Sequence, residues 1–328
     1  TSIGRDDMKA LVVGGAGFIG RHLCDALLNG GHEVSCVDNL SLGTRENINH
    51  LIERSCFRFH QADAAEGEVL EEIFQKEKPD FVFHLAANSD IQASAENPAI
   101  EYINTYRTTF HILSCMRSNG VKKLFFASTS AVYGDRREEL LVENMAQLSP
   151  ISYYGAAKLG SEAMINAFSY MNDMQVLVFR FPNVIGPRLT HGVIFDFIRK
   201  LRENPVCLKI LGDGNQSKPY MYVTDLVEAI LGFMDRGKTG VSLYNIGVES
   251  NTSVRRIADI VCEEMGLEAV EYELTGGESG WRGDVPKFRY CMDKIHGEGW
   301  KATYTSDEAV RETVRNNIMG GGEGMGHD

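Results

Sequence analysis

The sequence predicts an α/β fold in which a doubly wound parallel sheet is followed by a smaller, mixed α/β C-terminal domain. Two observations support this prediction. Short apolar runs alternate with helical stretches through the first 180 residues. The apolar runs are continuous instead of alternating with polar residues, which is typical of parallel strands that are covered by helices on both faces.

The elements of the first domain can be assigned in order along the chain. A strand is predicted at 9–13, followed by a glycine-rich turn and a helix over 18–28. Gly30 and Gly31 mark the end of this helix. Further strands are predicted at 33–37, 57–60, 81–85, 124–127 and 176–179, and helices at 69–76, 99–117 and 154–171. Because crossovers between parallel strands are right-handed, this order gives a doubly wound sheet of the Rossmann type.

The regular alternation weakens after residue 180. Gly, Pro and Asn interrupt the chain there, and helices are predicted at 193–202, 223–234 and 253–265. We therefore predict one domain over 8–180 and a second over 181–318, with about 220–247 returning to the first sheet. Open α/β sheets bind ligands at the carboxyl ends of their strands, so the second domain is expected to lie over that edge. The glycine-rich segment 319–328 is expected to be a disordered tail.

Composition and charge exclude several classes of protein. The net charge is −12, and the 43% of hydrophobic residues is ordinary for a soluble globular protein. An acidic surface repels nucleic acid and anionic membranes, so we expect neither as a partner. No apolar run is long enough to span a membrane. The seven cysteines are dispersed without a CxxC pair, which indicates reduced thiols in a cytoplasmic protein and no metal site.

A glycine motif lies between the first strand and the first helix, with glycines at positions 14, 17 and 20. Such glycines let the backbone turn tightly and let a pyrophosphate approach the free N–H groups of the helix N-terminus. Alone, the pattern also fits an ordinary tight turn. Asp38 supports a dinucleotide site, because it ends the second strand about 20 residues later, where a carboxylate binds the adenosine ribose. A carboxylate there repels a 2′-phosphate, so the pattern predicts NAD instead of NADP.

Tyr154 and Lys158 are four residues apart on a predicted helix and therefore share one face of it. A free tyrosine has a pKa of about 10, which is too high for a base at neutral pH. A nearby ammonium and a nicotinamide cation would stabilise the phenolate, and a shift of roughly three pKa units corresponds to about 4 kcal/mol. An ordinary amphipathic helix would give the same spacing.

A hydroxyl-rich turn provides a third element. Residues 125–134, FFASTSAVYG, run from a strand into a turn at the carboxyl end of that strand. Thr129 could share a hydrogen bond with Tyr154 and with a substrate oxygen. Without the tyrosine, a solvated Ser/Thr turn would be the simpler interpretation, but the three elements together indicate a catalytic site.

In combination, the motifs resemble the extended short-chain dehydrogenase/reductase family, in its NAD-dependent nucleotide-sugar epimerase/dehydratase branch. The resemblance covers residues 8–317 and includes GGAGFIG (14–20), VDNLSLG (37–43), Asp63, HLAAN (84–88), Asn104, ASTSAVYG (127–134), YGAAK (154–158), RFPNVIGPR (180–188), LGDGNQ (211–216), YVTDLVEA (222–229), NIG (245–247) and GDVP (283–286). It implies a first domain that binds NAD, a second domain that binds a nucleotide sugar, and a homodimer formed by the helices at 98–118 and 154–171.

The resemblance also implies roles for individual residues. Tyr154 would be the catalytic base, Lys158 would hold the nicotinamide ribose and tune the tyrosine, and Thr129 would be their hydroxyl partner. The residues expected to bind NAD, besides Tyr154 and Lys158, are Gly14, Gly17, Phe18, Ile19, Gly20, Asp38, Asn39, Ser41, Gly43, Asp63, Ala64, Leu85, Ala86, Ala87, Asn104, Ser128 and Phe181. Those expected to bind the nucleotide sugar, besides Thr129, are Asn88, Ser130, Asn183, Gly192, Val193, Lys218, Tyr220 and Arg282.

The two positions after Thr129 bear on the reaction. In the 4,6-dehydratases and UDP-glucuronate decarboxylases of this branch an acidic residue follows the catalytic threonine within two positions, and in 3,5-epimerases of the GDP-fucose-synthase kind a cysteine lies at the second. This chain has Ser130 and Ala131, and neither can move the protons that those reactions require. Hydride chemistry alone remains, which favours C4 epimerisation of the UDP-glucose/UDP-galactose type through a transient 4-keto sugar.

Other functions stay open at this point. A nucleotide-sugar 4-dehydrogenase or 4-ketoreductase acting on a GDP- or other NDP-linked sugar would use the same residues, and a non-catalytic NAD-sensing protein could keep the same fold. Lys218 replaces a family arginine, and Arg107 replaces a glycine. Trp281 stands where the family has a phosphate-binding arginine, with Arg282 displaced by one position. These departures leave the nucleotide open, while the bulky Phe288 favours a plain hexose over an N-acetyl sugar.

Overall fold

The computed structural model describes residues 7–88, 90–137, 139–277 and 283–319. Its strands are β1 (Lys9–Val13), β2 (Glu33–Asp38), β3 (Phe57–Gln61), β4 (Phe81–His84), β5 (Lys123–Thr129), β6 (Leu140–Leu141), β7 (Gln175–Phe181), β8 (Asn183–Ile185), β9 (Cys207–Ile210), β10 (Ser217–Lys218), β11 (Tyr220–Tyr222), β12 (Gly240–Asn245), β13 (Thr252–Ser253), β14 (Glu271–Leu274) and β15 (Arg289–Tyr290). Its α-helices are α1 (Phe18–Asn29), α2 (Gly67–Glu77), α3 (Ile91–Glu96), α4 (Ala99–Glu101), α5 (Thr108–Ser118), α6 (Tyr153–Asn172), α7 (Val193–Glu203), α8 (Val223–Phe233), α9 (Val254–Met265), α10 (Asp293–Gly297) and α11 (Ser306–Met319). Short 3₁₀-helices lie at Arg45–Asn47, Asn49–Leu51 and Ser130–Tyr133, and a π-helix at Tyr102–Arg107 connects α4 to α5.

The chain divides into two compact units. The first consists of Thr1–Val132, Ser152–Arg180 and Val227–Tyr244, and the second of Tyr133–Ile151, Phe181–Leu226 and Asn245–Asp328. The stretch 133–151, which lies within the predicted first domain, belongs to the second unit. The stretch 227–244 of the first unit lies within the segment expected to return to the first sheet.

The first unit is built on a seven-stranded sheet with the order β3-β2-β1-β4-β5-β7-β12. The pairs from β3 to β5 are parallel, with registers such as Val13↔His84 between β1 and β4. The strand order reverses between β1 and β4, which is where ligands bind in such sheets. The predicted doubly wound sheet is confirmed.

Both faces of this sheet are buried, which explains why its strands read as continuous apolar runs. Successive strand residues point to opposite faces. Leu124 and Phe126 of β5 belong to the core shared with α2, α5 and α6. Phe125 points the other way, and its ring lies 6.3 Å from that of Phe83 and 5.5 Å from that of Phe179.

The second unit combines small sheets with helices. Its strand pairs β8–β11, β9–β14 and β6–β15 are parallel, and β10–β13 is antiparallel. Helix α11 packs against α7 and α9. It continues through Met319, one residue into the segment expected to be a tail, and the rest of that segment, 320–328, lies outside the described residues. Among the described residues, no helix is long and apolar enough to cross a membrane.

Candidate active site

The glycine-rich turn joins β1 to α1, and Gly14 has φ = +85°, a conformation that glycine adopts readily. The Gly14 N–H donates to the Val37 carbonyl oxygen at 2.8 Å, which fixes the turn against β2. Gly17 is the N-cap of α1, and no side chain caps the helix there. The first N–H groups of α1, at Phe18 and Ile19, therefore have no side-chain acceptor. With the helix dipole they suit a phosphate group.

Two of these glycines have no room for a side chain. A Cβ on Gly14 would lie 2.7 Å from the Ala86 nitrogen, in the segment that follows β4. A Cβ on Gly20 would lie 2.2 Å from the Gly14 carbonyl oxygen. The turn is thus packed closely against its own helix and against the backbone of Leu85 and Ala86. This cradle of backbone fits the pyrophosphate of NAD.

Asp38 ends β2 and is held by the same turn. Its two carboxylate oxygens accept backbone hydrogen bonds from Ala16 N at 3.0 Å and Leu40 N at 2.8 Å. Burial raises the pKa of Asp38 from its ordinary value, and these two hydrogen bonds act in the opposite direction. Each oxygen keeps a lone pair that a ribose hydroxyl could use. The carboxylate is therefore fixed where an adenosine ribose is expected.

Replacing Asp38 with alanine is expected to weaken the preference for NAD over NADP, because the 2′-phosphate is no longer repelled. Two charges about 4 Å apart interact by about 1 to 4 kcal/mol between bulk water and a protein surface, so the ratio of the two dissociation constants should fall about fivefold or more. Isothermal titration with both cofactors measures this ratio. Asn39→Ala is the matched control, since it alters the same loop and keeps the carboxylate. An unchanged ratio in Asp38→Ala would remove the assigned role.

The loop after β2 and the turn after β3 come together at the expected adenosine end. Asn39 Nδ2 donates to Asp63 Oδ2 at 3.3 Å. A Cβ on Gly43 would lie 2.8 Å from the backbone carbonyl carbon of Ala16, so the same loop also packs on the glycine-rich turn. The residues brought together here are Asp38, Asn39, Ser41, Gly43, Asp63 and Ala64.

Two asparagines lie between β4 and α5. Asn104 is half-buried in the π-helix, a rare form that is frequently found at functional sites. Asn88 is buried, and its Nδ2 donates to the Asp90 carbonyl at 2.7 Å and to Glu101 Oε1 at 2.9 Å. These bonds use both amide hydrogens of Asn88, so a substrate could reach only its carbonyl oxygen.

The predicted catalytic residues meet at the carboxyl end of β5. Helix α6 begins with Ser152 as its N-cap, and one turn of this helix separates the half-buried Tyr154 from the buried Lys158. Thr129, the last residue of β5, hydrogen-bonds the Tyr154 phenol. Lys158 Nζ donates to the Ala127 carbonyl oxygen at 2.7 Å and lies 5.9 Å from the centre of the Tyr154 ring.

Burial and nearby carboxylates set the protonation of this pair. Burial lowers the pKa of Lys158 to about 8, and the carboxylates of Glu101 and Glu162 oppose that change. Burial raises the pKa of Tyr154 above its ordinary value, Glu101 raises it further, and the Thr129 hydrogen bond lowers it. Without a cofactor, burial therefore keeps the pKa of Tyr154 above its ordinary value. Stabilisation of the phenolate by Lys158 and by a bound nicotinamide cation stays a prediction.

Three charged residues of this cluster were not identified from the sequence: Glu101, Glu162 and Arg180. Arg180 donates to Glu162 from Nε at 3.0 Å and from Nη2 at 2.6 Å, and Ser128 Oγ donates to the same carboxylate. Helical spacing could have revealed Glu162, since it lies four residues after Lys158. Glu101 has no such signal, because the chain places it near Lys158 only through the fold.

In the second unit, Asn183 of β8 is in register with Tyr220 of β11, and their side chains are hydrogen-bonded. Burial raises the pKa of Tyr220 to about 12. Lys218 Nζ lies 2.5 Å from Asp284 Oδ1, so the residue that replaces the family arginine is paired with the aspartate of the GDVP motif.

The remaining predicted residues fall in three places. Gly192, at φ = +92°, is the N-cap of α7, and Val193 is the first residue of that helix. Phe181 ends β7, and Ser130 begins the 3₁₀-helix after Thr129. Arg282 lies outside the described residues.

Known proteins resemble this chain over most of its length. The model of the NAD dependent epimerase/dehydratase family matches residues 10–247. A solved UDP-galactose 4-epimerase is 36% identical with a TM-score of 0.82, and the UDP-glucose 4-epimerase of Thermotoga maritima, solved with UDP-glucose, is 32% identical with a TM-score of 0.85; each match covers 95% of this chain and 99% of the other. Human dTDP-D-glucose 4,6-dehydratase is 29% identical, with 93% of this chain and 89% of that protein covered. With its glycine cradle and its Tyr154–Lys158 pair, the chain belongs to the NAD-dependent epimerase/dehydratase family.

Proposed function

We propose that this enzyme inverts C4 of a nucleotide-linked hexose, of the UDP-glucose/UDP-galactose type, through a transient 4-keto sugar. The observation that carries the proposal is the cluster of Tyr154, Thr129 and Lys158, which is followed at positions 130 and 131 by residues without acid–base chemistry. Such a site can move one proton to and from a hydroxyl but provides no second acid for elimination.

Each member of the cluster has a separate task in this reaction. NAD, when bound, supplies the reversible hydride acceptor. Tyr154 takes the proton of the sugar 4-hydroxyl and returns it once the keto sugar has turned its other face. Thr129 donates to the Tyr154 oxygen and so stabilises the phenolate, while the Lys158 ammonium holds the nicotinamide ribose and balances the negative charge.

Nearby carboxylates do not replace the missing acid. Glu101 is only 2% exposed and accepts hydrogen bonds from Asn88 and Thr105. The Glu162 carboxylate is bound by Arg180 and Ser128. Carboxylates that are largely buried and already hydrogen-bonded are poorly placed to exchange protons with a sugar, which supports epimerisation over dehydration.

The sugar is proposed to be a plain hexose. Phe288 is 6% exposed and its ring lies 5.6 Å from that of Tyr290, so this bulky side chain is fixed by packing. The two 4-epimerases described above act on UDP-linked hexoses by their names, which supports a uridine nucleotide.

We also propose that the protein is a homodimer through the helices at 98–118 and 154–171. Four large side chains in this region are exposed, and they are Tyr102, Phe110, Tyr170 and Met171. Several large exposed side chains on two neighbouring helices are typical of an interface. Light scattering measures the mass of the purified protein in solution, and the mass of one chain would contradict the dimer.

Proton NMR of the purified protein, without added cofactor, against a panel of UDP-, GDP- and dTDP-sugars tests the proposed reaction. We expect a second anomeric signal that matches the C4 epimer of one UDP-hexose. Tyr154→Phe serves as the control for contaminating activity. Turnover only after addition of NAD, or of a keto sugar, would indicate a 4-dehydrogenase or 4-ketoreductase instead.

A further inference from the structure

We propose that Glu162 is a positioning residue that fixes the end of β5, the strand that carries the catalytic hydroxyl. Its carboxylate binds the Ser128 hydroxyl and is itself held by Arg180. The inference rests on the proposed function, because it concerns the same site. It assigns a task to three side chains that the reaction scheme above does not use.

The three side chains form one hydrogen-bonded network. Glu162 Oε1 accepts from Arg180 Nε at 3.0 Å and from Ser128 Oγ. Glu162 Oε2 accepts from Arg180 Nη2 at 2.6 Å. Ser128 is 1% exposed, and the side chains of Arg180 and Glu162 are 4% and 11% exposed. Both carboxylate oxygens are therefore bound inside the protein, and the direction of the Glu162 side chain is fixed.

The network lies on the face of the sheet that packs against α6. Phe126 of β5 and Val178 of β7 belong to the apolar core on this face. Because alternate residues of a strand point to the same face, Ser128 and Arg180 follow these two residues toward the carboxyl ends of the neighbouring strands. The core thus ends in a polar layer at the edge of the sheet where ligands bind.

Ser128 lies between the two β5 residues that hold the catalytic tyrosine and lysine. The residue before it is Ala127, whose carbonyl oxygen accepts from Lys158 Nζ at 2.7 Å. The residue after it is Thr129, which is hydrogen-bonded to the Tyr154 phenol. Consecutive strand residues are only about 3.3 Å apart along the chain, so a shift of Ser128 displaces both neighbours.

Glu162 continues the row of α6 residues that contact β5. It follows Lys158 by four residues, as Lys158 follows Tyr154, so the three side chains lie along one side of the helix. Three successive turns of α6 therefore hold three consecutive residues of β5. The contact made by Glu162 is the one that lies farthest from the reacting oxygen.

The form of the ion pair indicates positioning more than stability. A buried ion pair adds little stability, because the loss of hydration of both charges offsets much of their attraction. A bidentate pair does fix direction, since the planar guanidinium matches the two oxygens of a carboxylate. Ser128 has one hydroxyl proton and donates it to Glu162, although the family resemblance assigns Ser128 to the cofactor. Arg180 thus orients Glu162, and Glu162 orients Ser128.

Ser128→Ala tests the inference directly, because it removes the hydroxyl and leaves the ion pair in place. We expect kcat to fall by about tenfold or more, while KM and the NAD content of the protein change little. The physical reason is the position of the reacting groups, since a misplacement of about 1 Å can cost about 10²-fold in rate.

Ser161→Ala is the matched control. Ser161 lies next to Glu162 in α6 and is 0% exposed, and its Oγ has no hydrogen-bond partner in the part of the chain that the structure describes. The substitution removes the same atom from the same core without breaking a contact. Its kcat should equal that of the unaltered protein.

A second readout needs no turnover. In NAD-loaded protein with labelled tyrosines, the ¹³Cζ signal of Tyr154 reports the hydrogen bond of its phenol, and Tyr154→Phe assigns it. Thr129→Val gives the position of this signal without the Thr129 hydroxyl. We expect Ser128→Ala to move the Tyr154 signal toward that position and Ser161→Ala to leave it in place.

Arg180→Lys tests the order of the contacts. Lysine keeps the positive charge but has no planar fork, so the Glu162 carboxylate is oriented less firmly and kcat should fall. Because Arg180 acts through Ser128, the same substitution should lower kcat little further in the Ser128→Ala protein. Full losses that simply add would contradict a common path through Ser128.

An unmoved Tyr154 signal in Ser128→Ala would overturn the inference, whatever the rate. Equal changes in Ser128→Ala and Ser161→Ala would also overturn it, because any lost buried hydroxyl would then have the same effect. Loss of NAD from Ser128→Ala would assign the hydroxyl to the cofactor instead. A protein whose signal moves in Ser128→Ala but which converts no sugar would contradict the proposed function and still support positioning by Glu162.

Discussion

Tyr154→Phe is expected to lower turnover by roughly 10²–10⁴-fold while NAD remains bound, because the variant lacks only the oxygen that exchanges the 4-hydroxyl proton. The phenol is hydrogen-bonded to Thr129 and contributes no hydrogen bond to the glycine-rich turn, so cofactor affinity should change little. Steady-state rates on the sugar identified by NMR, with the NAD content of the purified protein, measure the effect.

The neighbouring tyrosine provides a matched control. Tyr153 is 52% exposed and, as the residue before Tyr154, is turned about 100° away from it on the first turn of α6, so Tyr153→Phe removes the same atom from the surface. Its turnover should equal that of the unaltered protein. Comparable turnover in Tyr154→Phe and Tyr153→Phe would remove Tyr154 from the proposed mechanism.

Gly20→Ala is expected to cause a large loss of stability in the first unit. The new Cβ would lie 2.2 Å from the Gly14 carbonyl oxygen and 2.6 Å from the Gly15 Cα, and neither backbone atom can move without opening the turn. Overpacking typically costs about 1–3 kcal/mol, and a contact with backbone atoms this short belongs at the upper end of that range. The displaced turn should also bind NAD about tenfold or more weakly, which corresponds to about 1.4 kcal/mol.

Gly232→Ala separates this steric effect from the general effect of alanine in a helix. Gly232 lies in α8, and a Cβ there would meet no atom within 4 Å. The substitution should therefore stabilise the protein by about 0.5–1 kcal/mol, because alanine favours the helix. Thermal unfolding and NAD titration of both variants measure the difference. Equal stability of the two would show that the turn tolerates the methyl group.

The sequence predicted the sheet because each strand is buried on both faces. The run at 124–127 is apolar throughout since Phe125 and Phe126 point to opposite cores, and such runs are visible without any tertiary information. The short strands of the second unit left no such pattern. Strand β10, for example, comprises only Ser217 and Lys218, and Lys218 pairs with Thr252 of β13, 34 residues later.

The same distinction applies to the candidate site, where some residues could be predicted from the sequence and others could not. Tyr154, Lys158 and Thr129 were predicted because each lies in a local pattern at a strand end or on one helix face. Glu101 was not, because its relation to Lys158 arises only when two helical segments distant in the sequence pack together. A periodic analysis also predicted one continuous helix over 99–117, whereas the structure interrupts it with a π-helix.

Because of this π-helix, the segment from α4 to α5 depends on its exact number of residues as well as on which residues they are. One residue advances an α-helix by about 100°, so the wider turn rotates everything before it relative to everything after it by an angle of that order. Glu101 can therefore face α6 while, on α5, the His111 ring lies against Gly67 of α2. Deleting a single residue between them would restore the regular turn and rotate one of the two away from its partner. In this part of the chain, a change of one residue in length should do more damage than most substitutions.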